Sequence, residues 1–241
     1  MIKVAADVSL FAPMLLGERG TIGPSALQAD APALAVFGVI IATAVATFIA
    51  AIAARLTNPI AGVFILGAAL FGLAWRTAGL HEMLISGSIP LLALETFLFA
   101  IPAMGAAWVV LRAGGPVRDI EPDPHGRHPH PWFSKSAGLA ALCGFLVLPV
   151  VWVVARTATN GQALGAVFLG ALAAGIASRL IAPHTQPRWI FVTPIVFGAI
   201  GLAVGSAMLD VPPGKAFVDR SYSPLLVPMP LLTGSLLRIP F

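Results

Sequence analysis

Charged side chains are scarce in this chain, since Asp, Glu, Lys and Arg together make up 10% of its 241 residues. Soluble globular domains usually carry about 25% charged residues, so this composition argues against a soluble fold. Hydrophobic residues instead make up 58% of the chain. The net charge of +4 arises from basic residues that lie singly near the ends of apolar runs. We therefore expect no nucleic-acid binding, which needs a concentrated basic surface.

Cysteine is nearly absent, and Cys143, the single one, excludes an intrachain disulfide. The long apolar runs contain no histidine and no aspartate. Haem ligation within a membrane and serine–histidine catalysis need histidine at depth, and intramembrane aspartyl proteolysis needs two buried aspartates. The glycine loop of P-loop proteins is also missing from the sequence. These absences predict a protein that is not an enzyme and holds no cofactor.

Long apolar runs dominate what is present. A helix needs about 20 apolar residues to cross a bilayer, and six runs approach or reach that length. They lie at about 33–54, 60–78, 89–111, 137–155, 161–178 and 189–209. Tryptophan favours the boundary between hydrocarbon and water, and all five tryptophans lie at or near the ends of these runs: Trp75, Trp108, Trp132, Trp152 and Trp189. The sequence predicts an all-α, polytopic membrane helix bundle with about six transmembrane helices.

Three segments flank or interrupt the predicted spans. Residues 1–32 are interpreted as an N-terminal interfacial segment, and residues 112–136 as a polar loop rich in histidine and proline. Residues 210–241 form an apolar tail with too many prolines to sustain a spanning helix. We expect this tail to lie on the membrane surface or to dock against the bundle or a neighbouring subunit.

Glycines spaced four residues apart occur in two predicted spans, as Gly161 with Gly165 and Gly201 with Gly205. This spacing lets two helix backbones approach closely within a membrane. Packing within one bundle would use these faces, and so would a homo-oligomer or a partner in a membrane complex. The lipid bilayer is the other expected partner.

Glu95 is the one acidic residue inside a predicted span. An ionised carboxylate in hydrocarbon is costly unless it is paired or hydrated, and its helical neighbours are apolar, so a partner must come from elsewhere in the fold. A structural interpretation has Glu95 reach the interface or pair with Arg76 or Arg156. A functional interpretation makes it a proton or cation site.

Histidines and carboxylates are concentrated in the 112–136 loop. His125, His128 and His130 lie there among alternating prolines, and His184 lies in another loop on the same predicted side. Imidazole and carboxylate are suitable ligands for divalent metals such as zinc, nickel or copper. The prolines favour an extended, stiff segment, so a solvated linker is the alternative to a metal or pH-sensing site.

Two function classes follow from these observations. The first is a non-catalytic structural or accessory membrane subunit. The second is a small proton- or cation-coupled transporter or channel component that uses Glu95. An approximate repeat, residues 52–59 against 176–183, adds some support to the second class, because parallel repeats occur in transporters.

The distribution of basic residues predicts an orientation. Basic residues close to span ends are more frequent on the side that holds the 112–136 loop. Cytoplasmic loops carry an excess of Lys and Arg. We therefore expect a multi-pass protein of the plasma (bacterial inner) membrane, with this loop in the cytoplasm and both termini outside.

Overall fold

The computed structural model describes residues 25–29, 31–76, 87–115, 135–155, 160–183, 187–219 and 221–226. Over these ranges the chain is helical and contains no strand. Its α-helices are α1 Pro32–Leu56, α2 Pro59–Arg76, α3 Ile89–Gly114, α4 Lys135–Cys143, α5 Val147–Val154, α6 Asn160–Ile181, α7 Pro187–Ala207 and α8 Pro213–Val218. Short 3-10 turns occupy Ala26–Gln28, Gly144–Leu146 and Pro224–Leu226. The predicted all-helical architecture is confirmed.

Four helical segments of the described chain are long and apolar enough to cross a membrane: Pro32–Leu56, Ile89–Gly114, Ala137–Val154 and Pro187–Ala207. Two shorter apolar stretches, Pro59–Leu73 and Gly165–Ile181, belong to α2 and α6. By length and composition, four candidate spans agree with a membrane helix bundle. The count of six crossings stays a prediction.

Small side chains fill the interior of the bundle, and large apolar ones cover its surface. Ala42, Ala46 and Ala50 of α1 are fully buried, whereas Phe48 on the same helix is 67% exposed. Ile101 of α3 is likewise 70% exposed. Small residues at helix interfaces and large apolar residues outside are typical of membrane bundles, where lipid solvates the outer face.

The first three helices alternate in direction, and their contacts fix this arrangement. A Cβ added at Gly62 near the start of α2 would overlap Ala54 near the end of α1. A Cβ at Gly114, the last residue of α3, would lie 2.7 Å from the Cα of Pro59, the first residue of α2. Therefore α1 and α3 run parallel, and α2 runs antiparallel to both.

The second half of the bundle has the same alternation. Gly144 packs against Thr193 and Leu148 packs against Gly201, so the α4–α5 segment runs parallel to α7. The Ser178 hydroxyl, near the end of α6, donates to the Ala140 carbonyl of α4 at 3.3 Å. Gly170, earlier in α6, packs against Val147 at the start of α5, so α6 runs antiparallel to the α4–α5 segment.

The predicted fourth span, 137–155, is helical but not one continuous α-helix. The turn Gly144–Leu146 separates α4 from α5. Pro149 has no N–H to donate to the carbonyl of Phe145 four residues earlier, so a regular α-helical hydrogen bond is lost there. The absence of a side chain at Gly144 allows the turn to pack against α7, because a Cβ at this position would overlap the methyl group of Thr193.

The described part of the tail packs back onto α7. Leu226 is fully buried and Leu225 is 7% exposed. A Cβ at Gly205 would lie 3.0 Å from Leu226, and one at Gly201 would lie 3.9 Å from Leu225. The second predicted glycine face is thus partly covered by tail leucines of the same chain. At Gly165, by contrast, an added Cβ meets no heavy atom of the described residues within 4 Å.

Candidate functional site: the Glu95 clasp

The site begins at the N-terminus of α3. Ser88 adopts an extended backbone conformation as the N-cap, and its hydroxyl accepts a hydrogen bond from the N–H of Leu91 at 3.4 Å. Pro90 lies in the first turn, where its missing N–H costs no helical hydrogen bond. Glu95 follows six residues after Ile89, about 9 Å along the helix axis.

Both carboxylate oxygens of Glu95 accept hydrogen bonds from the backbone of the N-terminal segment. The N–H of Ala26 donates to Oε1 at 3.0 Å, and the N–H of Leu27 donates to Oε2 at 2.9 Å. These two N–H groups open the turn Ala26–Gln28, where a helix has no internal acceptors for its first donors. Glu95 therefore caps this turn from a different helix.

Gln28 forms the second half of the connection. Its Oε1 accepts from the N–H of Ser88 at 2.6 Å, and its Nε2 donates to the Ser88 carbonyl at 3.1 Å. The same Nε2 also donates to the Ser25 hydroxyl at 3.0 Å. One amide side chain thus pairs with both backbone groups of the residue that caps α3. We refer to Gln28, Ser88, Glu95 and residues 25–29 as the clasp.

Apolar packing accompanies these polar contacts. Ala26 and Ala29 are buried together with Ala35 of α1, and Val36 and Val39 pack against this cluster. Ser25 is also buried, with 5% of its surface exposed. The clasp therefore connects residues 25–29 to the beginnings of both α1 and α3, and holds these two parallel helices at one end of the bundle.

Glu95 is a hydrogen-bond acceptor that joins two segments of the chain. A hydrogen bond to a charged group contributes about 1.5–3 kcal/mol net, and a buried donor left without its partner costs about 1–3 kcal/mol. With each oxygen engaged by a separate backbone donor, the carboxylate is fixed in orientation. Any cation or proton arriving at Glu95 would compete with these two N–H groups.

The predicted arginine partners of Glu95 are not tested by these contacts. Arg76 is the last residue of α2, and its side chain lies outside the described set. Arg156 lies between described ranges. Pairing of either residue with Glu95 stays a prediction. The sequence does not predict the role of Gln28. Its one distinguishing feature is that it is a polar residue in a segment expected to be interfacial.

The metal prediction falls on residues outside the described part of the chain. His125, His128, His130 and His184 all lie between described ranges. Among the residues that are described, no group of three or more His, Cys, Asp or Glu side chains is placed to hold a metal. The choice between a divalent metal site and a solvated linker in the loop stays open.

Threonine hydroxyls within the helices bond to their own backbones. Each donates to the carbonyl four residues earlier in the same helix, which satisfies the hydroxyl donor without a partner helix. The pairs are Thr43 with Val39, Thr47 with Thr43, Thr96 with Leu92 and Thr193 with Trp189. The hydroxyl hydrogens at these positions are therefore used within their own helices.

A scan against models of protein families, a search of curated proteins and a search of solved structures each found no match for this chain. The functional argument therefore rests on the clasp and on the surface of the bundle.

Proposed function

We propose that this protein is a non-catalytic structural or accessory subunit of the bacterial inner membrane, built from a multi-pass helix bundle. The observation that supports this role most directly is the use of Glu95. The one carboxylate within a candidate span accepts two backbone hydrogen bonds that connect the N-terminal segment to the bundle. These two bonds support an architectural use of Glu95.

The directions of the helices support six membrane crossings. Because α1 and α3 run parallel, the chain must return across the same thickness through α2. Its 18 residues extend about 27 Å, close to the roughly 30 Å of a bilayer's hydrocarbon core. The same argument applies to α6, whose 22 residues connect the parallel α4–α5 segment and α7. We infer that both shorter apolar helices also cross the membrane.

The charges of the described residues support a cytoplasmic location for one end of the bundle. We call it the α3–α4 end, because α3 ends and α4 begins there, and Phe191 near the start of α7 packs against the cluster that contains Ala103 and Val110 of α3. Five described basic residues lie at that end, whereas the described basic residues Arg76 and Lys215 and the three described acidic residues lie toward the opposite end. The five basic residues are Arg55, Arg112, Lys135, Arg179 and Arg188, and the acidic ones are Glu95, Asp210 and Asp219. An excess of Lys and Arg marks the cytoplasmic side. Both termini are then outside.

A coupled transporter using Glu95 is the competing proposal, and the clasp argues against it. A coupling carboxylate must bind and release its ion during each cycle. Glu95 would have to release Ala26 and Leu27 each time, which would leave two backbone donors without acceptors. The accessory role requires no such rearrangement.

Native mass spectrometry of the full chain, extracted gently from its own membrane, tests the accessory role. We expect a stoichiometric second polypeptide to remain bound in the extracted complex. A chain carrying Glu95→Gln and a chain carrying Asp210→Asn provide a matched pair, since each loses one negative charge. We expect the first variant to retain less partner than the second if the clasp holds the bundle in its binding conformation.

Recovery of the wild-type chain free of any other polypeptide, as a monomer or homo-oligomer, would contradict the accessory role. Ion flux in proteoliposomes would then distinguish the competing proposal. Flux that is present in the wild type and abolished by Glu95→Gln would favour transport.

A further inference from the structure

A shallow groove lies at the α3–α4 end of the bundle, between the last turns of α1 and α3. Its volume is about 430 Å³, and it is lined by Arg55, Trp108, Val109, Arg112 and Ala113. The two arginines come from different helices and line the same groove. The Arg112 guanidinium carbon lies 5.6 Å from the centroid of the Trp108 ring, within the range of a cation–π contact.

The charge of this groove is uncompensated by the described residues. Arg55 and Arg112 are exposed, and neither pairs with a carboxylate in the ranges that the structure describes. Glu95 lies 17 residues before Arg112 on α3, about 25 Å away along the helix. Two adjacent cations favour an anion between them, and the planar guanidinium group matches the oxygens of a phosphate.

Below the groove, the surface of the two helices is apolar. On α3, Gly105 is exposed, an added Cβ there meets no described atom within 4 Å, and Ile101 one turn earlier is 70% exposed. On α1, Ile52 and Phe48 lie one and two turns before Arg55 and are 45% and 67% exposed. Because α1 and α3 run parallel, both apolar surfaces extend from the groove toward the middle of the bundle.

We propose that this groove binds the headgroup of an anionic phospholipid, with its phosphodiester between Arg55 and Arg112. Trp108 lies beside the headgroup at the depth where tryptophan prefers to reside. The acyl chains follow the apolar surface past Gly105, where the missing side chain leaves room. Basic pockets between helices on the cytoplasmic side of a membrane bind anionic headgroups by the same chemistry. This lipid site goes beyond the accessory role and does not require a partner subunit.

Lipid titration followed by native mass spectrometry of the full chain in a non-ionic detergent tests the site. The probes are dioleoyl phosphatidylglycerol, which is anionic, and dioleoyl phosphatidylcholine, which is zwitterionic. We expect half-saturation of the first bound lipid at a concentration about tenfold lower for phosphatidylglycerol, given two arginines near the headgroup. The double variant Arg55→Gln with Arg112→Gln should bind both lipids at similar concentrations.

Two further variants make the result specific. Lys135→Gln with Arg179→Gln removes the same charge from the same end and should keep the preference. Arg55→Lys with Arg112→Lys keeps the charge but loses the planar donors, so it should lose part of the preference even if the glutamine variant fails to fold. Equal binding of both lipids by the wild-type chain would overturn the proposal. Displacement of the lipid by equimolar inorganic phosphate would assign the groove to free phosphate instead and overturn the lipid assignment.

Discussion

A carboxylate in an apolar helix needs donors, and the backbone of a separate segment supplies them to Glu95. The composition of the chain singles out this residue, because it is the one acidic position in a predicted span. Its partners are the N–H groups of Ala26 and Leu27. Every residue except proline has such a group, so sequence alone does not identify which backbone donors a distant carboxylate will meet.

Replacing Glu95 with glutamine tests the clasp at the level of single atoms. The amide keeps one acceptor oxygen but directs an NH₂ group at one of the two backbone donors. We expect Glu95→Gln to lower the free energy of unfolding by about 1–3 kcal/mol, as for a buried donor that loses its acceptor. Reversible unfolding in detergent would measure this change. Asp210→Asn, an exposed position, removes the same charge and should have little effect.

A labelling experiment tests whether residues 25–29 leave the bundle when the Glu95 carboxylate is removed. Ala29 is 8% exposed, so a cysteine placed there in a Cys143→Ala background should react slowly with a maleimide. Adding Glu95→Gln should accelerate the reaction. An unchanged labelling rate, together with unchanged stability, would show that residues 25–29 remain in place without the carboxylate.

At the scale of helices and turns, the predicted runs and the observed helices agree well, since long apolar runs leave few alternatives. The interruption at Gly144–Leu146 is not predicted from the sequence, because an apolar run containing two glycines and one proline is still long enough to span. The glycine spacing at Gly201 and Gly205 predicts a contact between two helices. The structure places leucine side chains of the tail there, and spacing alone does not specify what fills a gap.

The suggested repeat predicts similar packing in two helix pairs, and the first pair has a specific close contact. Gly62 of α2 approaches Ala50 and Ala54 of α1 closely. The repeat can be continued by aligning Gly72-Leu73-Ala74 with Gly201-Leu202-Ala203, and the residue that then corresponds to Gly62 is Phe191, a much larger side chain. The sequence similarity therefore does not extend to this interface, and duplication stays a hypothesis.

Two glycine-to-alanine substitutions separate packing from helix propensity. At Gly62, an added Cβ overlaps Ala54 and approaches the Ala50 carbonyl oxygen at 2.8 Å, so we expect Gly62→Ala to destabilise the bundle by about 1–3 kcal/mol. At Gly198 of α7, no described atom lies within 4 Å of the added Cβ. Gly198→Ala should therefore be neutral or stabilising by up to about 1 kcal/mol. Thermal unfolding in one detergent measures both, and equal shifts would contradict the close α1–α2 packing.

At the scale of the whole molecule, the scarcity of charge and the positions of tryptophan predict a membrane bundle. The spatial arrangement and the directions of the helices come from contacts such as that between Gly114 and Pro59, which sequence patterns do not reveal. Partners and activity are harder to predict than the fold, because most polar groups described above bond within the chain and so give little information about a ligand.

Cysteine labelling in intact cells tests the proposed orientation. In a Cys143→Ala background, Thr57→Cys places a thiol in the exposed α1–α2 turn, and Val218→Cys places one at the end of α8, where Val218 is 81% exposed. A membrane-impermeant maleimide added outside should label the second position and leave the first unlabelled until the membrane is opened. The reverse pattern would place the termini in the cytoplasm.

The clasp also determines an order of events during synthesis. Ala26 and Glu95 are separated by 69 residues, and ribosomes add about 5–20 residues per second. The N-terminal segment therefore waits at least about 3–14 s before its acceptor has been made. During that interval α1 and α2 can already pair through Gly62, whereas the ends of α1 and α3 cannot yet be joined. Formation of the clasp is thus a late step, because it requires α3 to be synthesised and positioned beside α1.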